Sequence, residues 1–309
     1  MTEAPLSGDS FEQVAVGLIA ATDGRLLLQH RDDMPGVSGA GLWGLFGGHV
    51  EPDEALSAAF LREMDEELAW RPRHFELCLS AYVPPLPGDR GYGERVVSHV
   101  FAAHLDVSPA ALTLGEGQAM ALFAPDALPA AIVPGLVAVI EEFARSRTYG
   151  RVRREWDWLS TTGLIVDAEG RFLLQHRDDK PEIAHPGLWG SFGGRVEPHE
   201  TDARETPEEG FLRELREELC WQPRCAVLYD GVPFRTLEDG DARRQLIYAY
   251  AAPLDAPLAA LELREGQGMT AFAPDALPER IVPALRTLIA QFAASDLYRE
   301  MIRLARGGA

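Results

Sequence analysis

The sequence is poor in cysteine and in positive charge. Its three cysteines, Cys78, Cys220 and Cys225, include no CxxC pair, so we expect reduced thiols and neither a disulfide framework nor a cysteine zinc site. Against 48 Asp and Glu there are only 29 Lys and Arg, which gives a formal net charge of −19. Such an acidic chain is not expected to bind a nucleic-acid backbone or an anionic membrane surface.

Long hydrophobic runs are also absent. The longest weakly polar run, residues 127–140, is too short to span a bilayer and contains two prolines. The first residues, MTEAPLSGDSFEQ, have neither the basic region nor the apolar core of a signal peptide. We therefore expect a cytoplasmic protein with no membrane partner. Its 309 residues, 46% of them hydrophobic, predict two folded domains of ordinary size.

The stretch GHVEPDEALSAAFLREMDEELAW, residues 48–70, carries the clearest chemical signal. Its apolar residues recur every four positions in the second half, which predicts an amphipathic helix. Glu63, Glu66 and Glu67 then share another face of that helix, where like charges repel by a few tenths of a kcal/mol per exposed pair. Such a cluster either is a solvated acidic face or binds a cation. Carboxylate ligands without His or Cys favour Mg²⁺ or Mn²⁺.

Residues around the cluster extend the pattern. Glycines stand at positions 47 and 48, an acid at 54 and an arginine at 62. The whole pattern resembles the Nudix box of the Nudix hydrolases: Gly48-x5-Glu54-x7-Arg62-Glu63-Met64-x-Glu66-Glu67-x-Ala69-Trp70. One defined position departs from the family, because Ala69 stands where the family has Gly.

The pattern occurs twice, because the chain contains an internal duplication. LLQHRDD at residues 27–33 returns at 173–179, and GLWG at 41–44 returns at 187–190. A second box ends with Arg213, Glu214, Glu217, Glu218 and Trp221, with Cys220 in the glycine position. The duplication predicts two domains, residues 1–149 and 150–309. We expect residues 146–155 to form a short linker.

The start of the second box does not fit at the standard spacing. Choosing Glu205, and not Glu200, as the acid that corresponds to Glu54 restores its interval to the box arginine and puts five extra residues in the preceding loop. This choice also makes Thr206 the N-cap of the helix, followed by Pro207 as its first residue and Glu209 as the capping-box partner. We therefore prefer Glu205.

The order of strands and helices predicts an α/β sandwich in each half. The resemblance, which covers both halves, implies the arrangement: two tandem Nudix folds, each a mixed β-sheet sandwiched between helices, with the box as a loop–helix–loop. It also implies the activity. Nudix enzymes hydrolyse a nucleoside diphosphate linked to another group X, using Mg²⁺ or Mn²⁺, so a small nucleotide or diphosphate is the expected substrate.

The resemblance assigns roles to residues of both boxes. The metal ligands it implies are Gly47, Glu63, Glu66 and Glu67 in the first half, and Gly193, Glu214, Glu217 and Glu218 in the second. The pairs that fix the box loop on its helix are Glu54 with Arg62 and Glu205 with Arg213. Glu116 and Glu265 stand in Glu-Gly-Gln stretches similar to those of MutT-like members, where the Glu binds metal and can serve as the base. Alternatively, each Glu-Gly-Gln stretch is only a structural turn, in which the glycine is the required residue and the Glu has no catalytic role. Glu66 and Glu217 complete the expected catalytic set.

Substrate contacts are less readable from the sequence. Arg31 and Arg177 end the second strand of each half, where they either reach the substrate or pair with the aspartates that follow. Trp43 and Trp189 either stack on a base or belong to the core. MutT-like proteins usually carry Pro before the box glycines, and the Phe found here at residues 46 and 192 argues against a purine triphosphate as the substrate.

Both halves contain every acid of the box, so we expect two complete sites that differ in substrate or rate. The halves are expected to pack as an intrachain pseudo-dimer. The main alternative is a nucleotide-sensing regulator without turnover, although such proteins usually lose box acids and add a basic helix-turn-helix. An isomerase acting on a prenyl diphosphate would need a catalytic Cys beside the metal site, and Cys220 lies beyond that face.

Overall fold

The computed structural model describes residues 12–83, 96–197, 205–238 and 241–307, without the side chains of 232–238 and 241–243. The chain divides into two compact units between Glu155 and Trp156. The domain boundary expected between residues 149 and 150 falls inside a helix and stays a prediction. Most of the loop with five extra residues, at 198–204, lies outside the described residues, as does the segment 84–95.

In the described residues, the first unit is a mixed sheet with three α-helices. Its described elements are β1 (Glu12–Ala20), β2 (Leu26–His30), β3 (Trp43–Gly44), β4 (Phe46–His49), α1 (Leu56–Leu68), β5 (Phe75–Val83), β6 (Val96–His104), β7 (Ala119–Phe123), α2 (Leu136–Arg145) and α3 (Arg147–Val152). The strand order is β3-β2-β1-β6-β5, with β4 paired to β1 and β7 paired to β2. Strands β1 and β6 run parallel, and the other pairs are antiparallel.

Strand alternation divides the core of this unit into two layers. Leu27 faces the box helix α1 and packs in the same cluster as Phe60 and Met64. Its neighbours Leu26 and Leu28 point to the opposite face, where they pack with residues of α2 and α3 such as Ile140. Each large apolar side chain buried in this way contributes about 1.5–3 kcal/mol. The sheet therefore lies between helices on both faces, as expected from the sequence.

The second unit repeats this arrangement. Its described elements are β8 (Trp158–Val166), β9 (Phe172–His176), β10 (Trp189–Gly190), α4 (Pro207–Leu219), β11 (Val227–Glu238), β12 (Asp241–Pro253), β13 (Gly268–Phe272), α5 (Pro283–Ala293) and α6 (Asp296–Ala305). The order β10-β9-β8-β12-β11, with β13 on β9, matches the first sheet. Helix α4 packs on one face, and α5 and α6 pack on the other.

The predicted linker at 146–155 is wrong, because most of it is helix. Ser146 caps α3 by accepting a hydrogen bond from the Tyr149 amide, and Val152 is fully buried in the core of the first unit. The Tyr149 hydroxyl donates to the Gly24 carbonyl oxygen at 2.5 Å, which ties the helix to the β1–β2 turn. The second unit ends in the same way, with α6 after α5.

The two box helices begin and end in informative ways. The capping box expected at Thr206 and Glu209 is confirmed, with Pro207 in the first turn of α4. At the other end, Ala69 and Cys220 close α1 and α4 in the left-handed conformation, with φ of 48° and 50°. Glycine adopts this conformation without strain. This geometry explains why the position that departs from the family pattern is a glycine in that pattern.

Two further observations bear on the composition. All three cysteines are free thiols. Burial raises the pKa of the Cys78 thiol to about 12, which makes it unreactive near neutral pH. Within the described residues, no helix is both long and apolar enough to span a membrane.

Candidate active site

Two box glycines bring the backbone of the first unit against the acidic face of α1. Gly47 has φ of 127°, and a Cβ there would lie 2.1 Å from the Ala15 carbonyl oxygen. A Cβ on Gly48 would lie 2.6 Å from the carboxylate oxygens of Glu63. Glycine is required at position 47, where the neighbouring atoms are backbone and φ is positive, whereas a side chain at position 48 would displace the Glu63 carboxylate. The same contacts recur at Gly193 and Gly194 in the second unit.

Glu67 is the most deeply buried acid of the first box. Its side chain accepts hydrogen bonds from the Gly47 amide at 2.6 Å and from the Gln29 amide at 3.0 Å. Burial nevertheless raises its pKa to about 7, and the charges of Glu63 and Glu116 add to the rise. Ionising this carboxylate is therefore costly where it lies, and a bound cation would offset that cost.

Arg62 lies beside the other two acids. Its Nη1 donates to Glu63 at 2.7 Å and to Glu66 at 3.2 Å. Burial is the main cause that raises the pKa of Glu63, and the guanidinium of Arg62 opposes it. Glu66 differs, because 59% of its side chain is exposed. The face thus combines two acids that are largely buried with one that meets solvent.

The same arginine holds the box loop. Its Nε and Nη2 donate to the two Glu54 oxygens, each at 3.0 Å, and Nη2 also donates to the His49 carbonyl oxygen at 2.8 Å. This fork is bidentate, which is the strong geometry for an arginine and a carboxylate. The hydrogen bonds from Arg62 lower the pKa of Glu54. The contacts of Arg62 with the acidic face were not expected from the sequence, although its spacing to Glu66 is that of a helical ion pair.

The Glu-Gly-Gln turn of the first unit packs between α1 and the end of β2. The Gly115 amide donates to the Glu67 carbonyl oxygen at 2.8 Å. Gln118 donates from its backbone to His30 and from its side chain to Arg31, both at 2.8 Å. These contacts bring Glu116 close enough for its charge to raise the pKa of both Glu63 and Glu67.

The second unit builds the same arrangement from its own residues. Arg213 donates to Glu205 at 2.8 Å, to Glu214 at 3.0 Å and to Glu217 at 2.9 Å. The position chosen for the box acid therefore does contact the box arginine. Glu218 accepts from the Gly193 amide at 3.0 Å, and burial raises its pKa to about 7. The charge of Glu265 adds to the rise, so the second Glu-Gly-Gln turn also borders its acidic face.

One further residue belongs to each site and was not predicted from the sequence. Gln29 donates from its side chain both to Glu67 and to the Glu116 carbonyl oxygen, at 3.0 and 3.1 Å. Gln175 likewise donates to the Glu265 carbonyl oxygen at 3.0 Å. Each is a buried polar residue in an apolar strand, on the face that packs against the box helix. That alternation, together with the recurrence in both halves, is a signal from which these residues could have been found.

The residues expected to contact substrate lie at the ends of β2 and β9 and in the paired strands β3 and β10, where Trp43 and Trp189 pack with the core layer opposite the box helix. Trp43 stacks on His30, with ring centroids 5.0 Å apart, and meets Phe123 edge-on at 4.8 Å. Trp189 makes the same two contacts in the second unit. Both rings are half-buried. The backbone of the arginine that follows the strand, Arg31 or Arg177, accepts the bond from the Glu-Gly-Gln turn.

The carboxylates of each box helix are bound to different partners within the protein. Within the described residues, no group of three or more His, Cys, Asp or Glu side chains is arranged to hold a metal ion. Arg62 and Arg213 each pair with the two other acids of the helix face, while the deepest acid is bound to a backbone amide. The donor set is nevertheless all oxygen, carries excess negative charge and contains buried carboxylates with raised pKa values. These features fit a hard divalent cation.

Comparison with known families agrees with this geometry. The family described as "NUDIX domain" matches residues 11–143 and 158–292, which is most of the chain. The chain belongs to the Nudix family. The tandem duplication and the two α/β folds expected from the sequence are thereby confirmed. The Nudix family is one of hydrolases, so this chain is an enzyme of that type.

Several known proteins resemble this Nudix chain in part. It is 34% identical over 134 residues to a CTP pyrophosphohydrolase of Escherichia coli (strain K12), covering 43% of this chain and 91% of that protein. It is 41% identical over 59 residues to an RNA pyrophosphohydrolase of Gluconacetobacter diazotrophicus, covering 18% of this chain and 32% of that protein. The MutT protein structure from Methanosarcina mazei Go1 is 23% identical, with a TM-score of 0.36, and covers 44% of this chain and 95% of that one.

Proposed function

We propose that each half of the chain hydrolyses the phosphoanhydride bond of a nucleoside diphosphate linked to another group X, such as a nucleoside triphosphate or a nucleotide sugar. The observation that carries this proposal is the set of carboxylates buried on the box helix beside the Glu-Gly-Gln turn, present in both halves. The relative named CTP pyrophosphohydrolase supports a nucleoside triphosphate as one substrate. The two domains of the proposal are residues 1–149 and 150–309.

In this proposal the cofactor is Mg²⁺ or Mn²⁺. Its ligands are Gly47, Glu63, Glu66 and Glu67 in the first half, and Gly193, Glu214, Glu217 and Glu218 in the second. A bound divalent ion supplies charge neutralisation for the diphosphate and makes a water more acidic. This cation also resolves the conflict between a chain of net charge −19 and an anionic substrate.

The residues of the chain have separate roles in the proposed reaction. Glu116 and Glu265 accept the proton of the attacking water, since each belongs to a turn that borders the acidic face. Glu66 and Glu217 are the box acids that most readily meet a substrate, because their side chains are 59% and 60% exposed.

In this proposal, arginines and tryptophans position the box loop and the substrate. Arg62 with Glu54 and Arg213 with Glu205 hold the box loop on its helix, so that the box glycines stay against the acids. Arg31 and Arg177 bind substrate phosphate. Trp43 and Trp189 border the nucleotide.

The test uses Glu67→Gln, Glu218→Gln and the double variant of the full chain. Each is incubated with nucleoside triphosphates, nucleotide sugars and dinucleotides, with Mg²⁺ or with EDTA, and the products are separated. We expect metal-dependent turnover in the parent, loss of different activities in the two single variants and loss of all activity in the double variant. If one single variant left every activity unchanged, two active halves would be refuted. No turnover with tight nucleotide binding would instead indicate the sensing regulator.

A further inference from the structure

The loops that follow β2 and β9 have the same net charge, but only the second contains charged residues between its ends, Lys180 and Glu182. Both begin with Asp-Asp and end with the glycine of GLWG, and they have the same length. Between these ends the first loop reads MPGVSGA, residues 34–40, and the second reads KPEIAHP, residues 180–186. An uncharged, apolar Met34 in the first half therefore corresponds to the cation Lys180 in the second.

Hydrogen bonds place the start of each loop beside the proposed base. The side chain of Gln118 donates to the Arg31 carbonyl oxygen, and that of Gln267 donates to the Arg177 carbonyl oxygen, each at 2.8 Å. These carbonyls belong to the residue just before the Asp-Asp pair. Each loop therefore leaves its strand next to the Glu-Gly-Gln turn.

The first aspartate has a different partner in each half. In the first half, Asp32 accepts from the Gly117 amide of the turn at 3.3 Å, and 57% of Met34 is exposed. In the second half, the corresponding Asp178 lies 2.6 Å from the Lys180 ammonium. This contact is the main cause that raises the pKa of Lys180, and the charges of Glu182 and Glu265 contribute as well.

The arginines at the strand ends add to this difference. In the second half, the loop carbonyl of Ala184 accepts from Arg177 Nε at 2.9 Å, and the charge of Arg177 acts to lower the pKa of Glu218. In the first half, the buried Nε of Arg31 meets no hydrogen-bond acceptor among the described residues. The second site thus has two cations held by its own loop together with one added anion, Glu182, whereas the first has one arginine and an exposed methionine.

We propose that this loop sets substrate preference, with Lys180 binding the additional phosphate of a triphosphate in the second half, and Met34 favouring a less charged X in the first. This inference rests on the proposed function of the same sites. An ammonium near a terminal phosphate strengthens binding through charge, while an exposed thioether offers only apolar contact. The two loops are each other's matched control, because they share length and anchoring residues.

The experiment exchanges the two residues in full-length chains that have one inactivated site. Lys180→Met is introduced into the Glu67→Gln chain, and Met34→Lys into the Glu218→Gln chain. KM and kcat are measured with Mg²⁺ for a nucleoside triphosphate and for a nucleotide sugar with an uncharged sugar. Binding of a non-hydrolysable nucleoside triphosphate is measured by calorimetry. Lys180→Arg is the conservative control, since it keeps the charge.

We expect Lys180→Met to raise KM for the triphosphate about fivefold and to change KM for the nucleotide sugar less than about twofold, as for an exposed charge pair. Met34→Lys should lower KM for the triphosphate in the first half. Lys180→Arg should leave KM for the triphosphate in the second half at the parent value. Unchanged KM ratios and unchanged binding in both exchanges would overturn the selectivity, leaving Lys180 only as the partner of Asp178. No turnover, together with charge-dependent binding, would refute the hydrolase while supporting the assignment of Lys180.

Discussion

Replacing the buried carboxylate Glu218 by Gln should stabilise the metal-free second domain while abolishing its activity. Only 6% of this residue is exposed, and burial raises its pKa from 4.5 to about 7. The folded state binds the proton of this carboxyl more tightly than the unfolded state does. The group therefore lowers the free energy of unfolding as the pH rises from about 4.5 to 7, and this loss of stability persists above pH 7. An amide of the same shape carries no charge and keeps an oxygen for the Gly193 amide.

The magnitude follows from the same two pKa values. A pKa difference of one corresponds to about 1.4 kcal/mol, so ionised Glu218 costs roughly 3 kcal/mol at pH 8 and below about 1 kcal/mol at pH 5. Allowing for imperfect hydrogen bonding of the amide, we expect Glu218→Gln to raise the free energy of unfolding by about 2 kcal/mol at pH 8. The gain should nearly disappear at pH 5. In a domain of this size, it corresponds to roughly 6 °C in Tm.

The assay must report on the second domain alone, because a chain with two compact units need not unfold in one step. Hydrogen exchange with mass spectrometry, read on peptides from β8 and β12 in EDTA at pH 5 and 8, gives that local free energy. Glu217→Gln is the matched control: its side chain is 60% exposed, so we expect a stability change within about 0.5 kcal/mol. A Glu218→Gln domain no more stable than the parent at pH 8, or equally stabilised at pH 5, would refute the reasoning.

Three further predictions follow from the packing. Ala69→Gly and Cys220→Gly should each stabilise their domain by about 1 kcal/mol, since both residues close a helix with positive φ; a lower midpoint in urea unfolding would contradict this. Arg151→Met should destabilise the first domain by about 3–5 kcal/mol because it leaves Glu76 buried without its 2.5 Å partner, and adding Glu76→Leu should recover part of the loss. His74, whose pKa burial lowers to about 4, should make the first domain lose stability as the pH falls from about 6.5 to 4, and His74→Leu should weaken that loss in exchange measurements.

The sequence carried enough information to predict the box helices, because their signals are local. The apolar stripe ending at Leu68 needs only a helical period, and the capping box at Thr206 needs only residues within one turn. Choosing Glu205 as the box acid depended on the same local chemistry. In the structure, Glu205 accepts a hydrogen bond from Arg213 at 2.8 Å. The alternative choice, Glu200, would have placed Pro207 in the interior of the helix.

Elements that depend on distant partners were not predictable in this way. Helix α3 contains Gly150 and few apolar residues, and it is held by the bond from Tyr149 to Gly24, which is 125 residues earlier. Gly47 and Gly48, residues of low strand propensity, lie in strand β4 because β1 pairs with them. Propensity gives way to pairing in such cases. The contacts of Gln29 belong to the same class, since they join three segments of the chain.

The same strained features in both halves support two active sites over one site and a scaffold. Each half ends its box helix with a left-handed residue that is not glycine, and each buries a carboxylate with a pKa of about 7. These features lower stability, and a scaffold would lose nothing if Glu67 or Glu218 were replaced by Gln. The surroundings of the two sites differ, however. Glu76 and Arg151 form an ion pair in the first half, but Val227 and Glu300 stand at the corresponding positions of the second half, where this pair cannot form. The two frameworks have therefore diverged, while both sites keep their destabilising carboxylates. The simplest explanation is that both carboxylates take part in catalysis.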